Sequence, residues 1–202
     1  MIAIVEYGVG NLFSLLSSFA ALGIEVEVTA EKAVLSRASH IILPGVGAFG
    51  DAAALLRENG LDAFIKDSAA EGKPLLGICL GMQMLFEESH EFGIHRGLGL
   101  LKGQILPIAP KIPPSYKIPH IGWNPLSIKK ESPLFANIKD GDAVYFVHSF
   151  YAECQREDLL ATAEYGAELT AAVASGNVYG CQFHPEKSGE VGLNILKGFA
   201  AL

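Results

Sequence analysis

Apolar and polar positions alternate along the chain in two rhythms. Residues 2–5, "IAIV", are unbroken apolar sequence and predict a strand buried on both faces. After "YGVGN", Leu12, Leu15, Leu16, Phe19 and Leu22 recur at helical spacing, and Gly23 ends the run. Residues 25–29, "EVEVT", alternate as a strand does, and 40–43, "HIIL", predict another. "DAAALLREN" from Asp51 and residues 61–71 read as helices, and 74–78, "PLLGI", as a buried strand. "LGMQMLFEES", residues 80–89, continues as a helix.

This order of strand and helix implies a parallel sheet covered on both faces. Past residue 98 the pattern changes. Residues 98–128 carry several prolines and short apolar pieces, which predict irregular or antiparallel structure. "AVYFVHSFYAE" (143–153), "LLATAEY" (159–165), "LTAAVASGNV" (169–178) and "YGCQFH" (179–184) read as strands, and 189–202 as a closing helix. No repeat, low-complexity tract or linker interrupts them. The expectation is a single α/β domain over residues 1–202, a mostly parallel sheet flanked by helices, with added antiparallel strands.

No apolar run reaches the roughly 18 residues that span a bilayer, and the opening lacks the pattern of a secretory signal. A net charge of -7 argues against a nucleic-acid surface. Cys79, Cys154 and Cys181 are too scattered for a disulfide framework or a Cys-x-x-Cys metal site. No pair among His40, His90, His95, His120, His148 and His184 has metal-ligand spacing with a nearby carboxylate. These features point to a reduced, cytoplasmic enzyme without a metal.

"PGVGAFG" contains a literal G-x-G-x-x-G in Gly45, Gly47 and Gly50. A dinucleotide site also needs an acidic residue at the end of the next strand, on the ribose. That strand, "PLLGI", runs into Cys79 instead, so the dinucleotide reading fails. What remains is a glycine turn at the carboxyl end of a strand, where open parallel sheets bind ligands.

"GICLG" sets Cys79 between Gly77 and Gly81 where a buried strand meets a helix, the pattern of a nucleophile elbow. A cysteine there is exposed to substrate, and the helix N-terminus favours its thiolate. Buried structural cysteine is the ordinary alternative, and it stands for Cys154 and Cys181. In "FHPEKS", extended geometry puts His184 and Glu186 on one side. Glu186 then orients the imidazole while its other nitrogen faces the thiol. His120 and His148 either line a pocket or cap strands.

"PGVGAFGDA", "GICLGMQMLFE" and "QFHPEKS" together resemble the class I glutamine amidotransferases, of flavodoxin-like architecture. "EYGVGN", "HIGWN" and "FHPEKS" are most similar to the glutaminase subunits of imidazole glycerol phosphate synthases, and the likeness covers nearly the whole chain. It implies that Cys79 attacks the side-chain amide of glutamine, His184 protonates the departing ammonia and Glu186 orients His184. It implies an oxyanion hole from the backbone at Val46, Gly47 and Leu80. Gln83 is expected to contact substrate, Glu91 its amino group, and the backbone of His148, Ser149 and Phe150 its carboxylate. No cofactor is implied.

The implied partner is a (β/α)8-barrel cyclase, in a heterodimer that receives the ammonia and makes imidazole glycerol phosphate and an aminoimidazole carboxamide ribotide. Asn11, Tyr145 and Lys187 match positions at that interface. Their ordinary readings are a helix N-cap, a strand aromatic and a solvated charge. The rivals are a subunit feeding ammonia to another synthase, a stand-alone cysteine hydrolase or thiol sensor, and a non-catalytic binding module.

Overall fold

The computed structural model describes residues 1–202. Along the chain come β1 (Ile2–Val5), α1 (Leu12–Ala21), β2 (Val26–Thr29), α2 (Lys32–Arg37), β3 (His40–Leu43), α3 (Phe49–Glu58), α4 (Leu61–Ala70), β4 (Leu75–Ile78) and α5 (Leu80–Met84). They are followed by β5 (Glu88–Ser89), β6 (His95–Arg96), β7 (Gly103–Pro107), β8 (His120–Ile128), β9 (Ala143–His148) and β10 (Phe150–Cys154). Then come β11 (Leu159–Glu164), β12 (Glu168–Ser175), β13 (Val178–Cys181) and α6 (Gly189–Ala200).

The main sheet has the order β2-β1-β3-β4-β13-β12-β11-β8-β9. From β2 to β13 neighbours pair in parallel, and from β13 to β9 they pair antiparallel. The parallel half explains the unbroken apolar runs, because its strands are covered on both faces. Along β1, Ala3 and Val5 join the core under α2, α3, α4 and α5, while Ile2 and Ile4 join the core under α1 and α6. Alternate side chains therefore enter opposite cores, and no position is left for a polar residue.

A second sheet, in the order β10-β7-β5-β6, sits beside the first. The apolar stretch 143–153 is split between the two: β9 belongs to the main sheet, Ser149 makes the break, and β10 pairs with β7. The helix expected over 80–89 is shorter. It ends at Met84, and Glu88–Ser89 form β5. Carbonyls that would have continued it are taken by a later loop: Leu98 N–H donates to Met84 O at 2.8 Å, and Leu100 N–H to Leu85 O at 2.8 Å. The short α2, which the residue pattern did not mark, links β2 to β3. No helix is long and apolar enough to cross a membrane.

Candidate active site

The carboxyl ends of β3, β4 and β13 are neighbours, and each carries one piece of the site. β4 and β13 pair in parallel, with Gly77 opposite Gly180 and Ile78 opposite Cys181. The first residue beyond β4 is Cys79, and His184 lies just beyond β13.

Cys79 has φ 55° and ψ −111°, a left-handed conformation that a side-chain-bearing residue adopts only when its surroundings hold it there. Its N–H donates to Cys181 O at 2.7 Å. Glycine is required on both sides of this bend. A Cβ on Gly77 would lie 2.6 Å from Gly81 O, and one on Gly81 would overlap Leu43 O. The thiol, 7% exposed, reaches a cleft of about 580 Å³.

His184 Nδ1 donates to Glu186 Oε1 at 2.8 Å, with both side chains sealed from solvent. The link is not the extended geometry expected from the sequence. Pro185–Lys187 is a single 3₁₀ turn that folds Glu186 back onto the ring. Ser188 ties this turn to β9: its hydroxyl donates to His184 O at 2.7 Å and accepts from Tyr145 N–H at 3.0 Å. Nε2 of His184 is buried and has no hydrogen-bond partner within the protein, although the Cys79 sulfur is close enough to act on its charge. Burial opposes the imidazolium, but Cys79 and Glu186 outweigh it and raise the His184 pKa to about 10. The ring is therefore a cation at neutral pH, able to hold a thiolate and to surrender a proton.

The glycine turn after β3 lines the opposite wall of the cleft through Val46 and Gly47. Gly45 is packed too tightly for a side chain, since a Cβ would lie 2.8 Å from the Tyr7 hydroxyl and 2.9 Å from Gly81 N. Tyr7 donates to Pro44 O at 2.7 Å and braces the turn from beneath. Burial, with the Cys79 charge adding to it, holds this phenol well above its usual range, so it stays a donor. Gly47, at φ 99°, has open space where a side chain would be.

The class I glutamine amidotransferase family model matches residues 3–201. The imidazole glycerol phosphate synthase subunit HisH of Bacillus cereus is 50% identical over 199 residues, 98% of this chain and 93% of that protein. The HisH subunit of Bacillus licheniformis is 51% identical over 202 residues, 98% of this chain and 95% of that protein. The chain belongs to the HisH family of class I glutamine amidotransferases. Among solved structures, a glutamine amidotransferase at 21% identity superposes with a TM-score of 0.77 over 99% of this chain and all of that one. PurLQS from Thermotoga maritima, at 24% identity, gives 0.77 over 99% of this chain and 97% of that one. Both have the same fold.

The remaining residues expected at an amidotransferase site fall around the same cleft. Leu80, Gln83, Glu91, His148, Ser149 and Phe150 all line it. Glu91 Oε2 accepts from Phe49 N–H at 2.6 Å, which fixes the carboxylate at the start of α3. Gln83 is buried, and its amide donates to Phe150 O at 3.3 Å and to Gln182 Oε1 at 3.0 Å.

His148 lines the cleft, one of the two readings its sequence offered, while His120 does not; the two are cross-strand partners with their rings in contact. His120 Nδ1 is 3.0 Å from His148 Nε2, His148 Nδ1 donates to Phe150 O at 2.7 Å, and His120 Nε2 is 2.7 Å from Asn124 Oδ1. His120 stacks between Phe146 and Tyr165. Burial, joined by the charges of His120 and His184 and opposed by the bond to Phe150, pushes the His148 pKa down to about 3. Through its Nδ1 bond to Phe150 O, His148 is a strut under the backbone of 148–150.

Asn11 occupies the N-cap of α1, but its side chain makes no capping bond. The Lys187 ammonium lies 5.9 Å from the centre of the Tyr145 ring, which meets Trp123 edge to face at 6.0 Å. Trp123 and Ile121 are each 56% exposed. Sequence reasoning assigned no role to Tyr7, Ser188 or Gln182. For Gln182 the available signal was a polar residue inside the apolar run "GCQF", immediately before the histidine pair. No group of three or more His, Cys, Asp or Glu side chains is arranged to hold a metal ion.

Proposed function

We propose that this chain hydrolyses glutamine at Cys79 and supplies the ammonia to a cyclase subunit, as the glutaminase component of imidazole glycerol phosphate synthase in histidine biosynthesis. The observation that carries this reading is the sealed His184–Glu186 pair, 2.8 Å apart, next to a cysteine held at a left-handed bend facing the cleft.

The Cys79 thiolate adds to the side-chain carbonyl carbon of glutamine. Backbone N–H groups at Val46, Gly47 and Leu80 receive the oxyanion, each such donor contributing about 3 kcal/mol in the transition state. His184, already protonated, gives its Nε2 proton to the leaving nitrogen, and ammonia departs. The neutral ring then takes a proton from water as it attacks the glutamyl thioester, releasing glutamate and restoring the thiolate. Glu91 and the backbone of 148–150 hold the substrate's amino and carboxylate ends, beside Gln83.

Ammonia released into water is protonated and loses its nucleophilicity, so its consumer needs a closed path from this cleft. The exposed Trp123, Ile121 and Lys187, beside the half-buried Tyr145, suit an aromatic and cationic face docking on the partner, with Asn11 free to join them. We assign that partner as a (β/α)8-barrel cyclase in a heterodimer, in the cytoplasm. The open space at Gly47 lets the glycine turn reorient on docking, which fits a glutaminase that is slow alone and fast in the complex.

The test is glutamate release by the chain alone and with the cyclase and its ribonucleotide ligand, beside Cys79→Ala. The expected result is a rise of orders of magnitude in the complex, abolished by the substitution. Activity that depends on Cys79 but ignores the cyclase moves the chain to another synthase. No Cys79-dependent activity under any condition overturns the glutaminase reading.

A further inference from the structure

Gln182 has no exposed surface, and a buried primary amide must place four hydrogen-bonding groups. Which way it points follows from a backbone carbonyl. Phe150 O can only accept, so the Gln83 group 3.3 Å from it is the NH₂. The same NH₂ is 3.0 Å from Gln182, which must therefore present its carbonyl oxygen there. The NH₂ of Gln182 is left facing the Cys79 sulfur at 3.7 Å. Reversing Gln182 would set NH₂ against NH₂ at one end and a carbonyl oxygen against a thiolate at the other.

We propose that Gln182 is a catalytic residue of this site, its side-chain amide donating to the Cys79 sulfur and so stabilising the thiolate as nucleophile and as leaving group. The assignment rests on Cys79 being the nucleophile. Three groups then surround the sulfur: the His184 cation, the Gln182 amide and the Val147 carbonyl at 3.9 Å, to which a neutral thiol donates. A hydrogen bond to a charged acceptor is stronger than one to a neutral acceptor. The amide therefore favours the thiolate over both the thiol and the thioester. In acylation the S–C bond forms as the C–N bond breaks, with the His184 proton leaving on ammonia. In deacylation the C–O bond forms and the S–C bond breaks, and the electron pair returns to a sulfur that Gln182 already faces.

The relay Phe150–Gln83–Gln182–Cys79 also joins the segment expected to hold the substrate's carboxylate to the sulfur. It makes the nucleophile's environment sensitive to occupation of that segment.

The test follows alkylation of Cys79 by iodoacetamide against pH, read on the Cys79 peptide by mass spectrometry, beside glutamate release in the cyclase complex. Gln182→Met keeps the shape and removes the donor. It should move the alkylation midpoint up by about one pH unit and lower kcat/KM by about 10- to 100-fold. Gln182→Glu keeps an acceptor for Gln83 but turns a carboxylate on the sulfur, and should raise the midpoint further than Met does. It carries the test if Gln182→Met does not fold. Folded variants whose alkylation profiles superimpose on the wild type overturn the proposal, even with glutaminase activity intact in the parent. A Gln182-dependent profile in a parent that releases no glutamate supports the sulfur contact and removes the glutaminase reading instead.

Discussion

Glu186 Oε1 receives the Nδ1–H of His184 at 2.8 Å while its other oxygen, Oε2, is buried without a partner. A carboxylate held this dry acts on what lies beside it: it raises the pKa of the His184 ring and adds to the burial that pushes up the Cys181 thiol. With its pKa raised to about 10, the imidazole stays protonated through neutral pH and loses its proton only well into the alkaline range.

Glu186→Gln removes the charge that helps to raise this pKa, so the ring should deprotonate at lower pH. The alkaline limb of kcat should shift down in pH, and kcat at its maximum should fall by roughly 10²- to 10⁴-fold. Cys79→Ala should likewise lower the titration of the ring, because the sulfur also supports the cation. Ring NMR across pH checks both; a His184 that titrates near 6.5 in the wild type contradicts the arrangement.

Gly81 of the bend and Gly47 of the cleft should differ in their response to alanine. At Gly81 the new methyl group collides with the Leu43 carbonyl, so Gly81→Ala should cost about 3 kcal/mol or more of stability, read from denaturant midpoints. At Gly47 the methyl meets nothing, and only the left-handed backbone resists, at a cost of about 1 kcal/mol. Gly47→Ala should fold and yet lose partner-stimulated glutaminase, because its turn no longer reorients freely.

His120→Phe keeps a flat ring between Phe146 and Tyr165 but leaves His148 Nε2 buried without its neighbour. The expected cost is about 1–3 kcal/mol. A rise in KM for glutamine larger than any fall in kcat should accompany it, since His148 braces the backbone of 148–150. Thermal unfolding and steady-state kinetics separate the two effects.

Lys187→Ala should weaken the complex with the cyclase by up to about 5-fold, the range of one exposed charged contact. The unfolding midpoint of the free chain should hardly move. Calorimetric titration with the partner provides the measurement, and unchanged affinity returns Lys187 to the solvated surface.

The parallel half of the sheet was legible because strands buried on both faces tolerate almost no polar residue, and "IAIV", "HIIL" and "PLLGI" show it directly. Cys79 and His184 were legible for a related reason: glycines crowd the one, and a proline and a glutamate frame the other. What local pattern could not carry was hydrogen bonding from elsewhere. α5 stops at Met84 because residues 98–101 claim its carbonyls, and Ser149 ends β9 because β10 has a partner in a different sheet. The His120–His148 pair and the Gln83–Gln182 amides are likewise made by strands distant in sequence. Each residue alone reads as an ordinary polar side chain.

The pairing of β4 with β13 has a wider consequence. Cys79 and His184, the nucleophile and proton donor of the proposed reaction, follow the ends of two adjacent strands, so their separation is set by a ladder that runs Leu75 to Val178, Leu76 to Tyr179, Gly77 to Gly180 and Ile78 to Cys181. A slip of one residue would displace one end by about 3.3 Å and turn every side chain to the wrong face. The sheet interior thus serves as a gauge block for the reaction. The spacing of Cys79 and His184 is thereby anchored in backbone pairing inside the sheet.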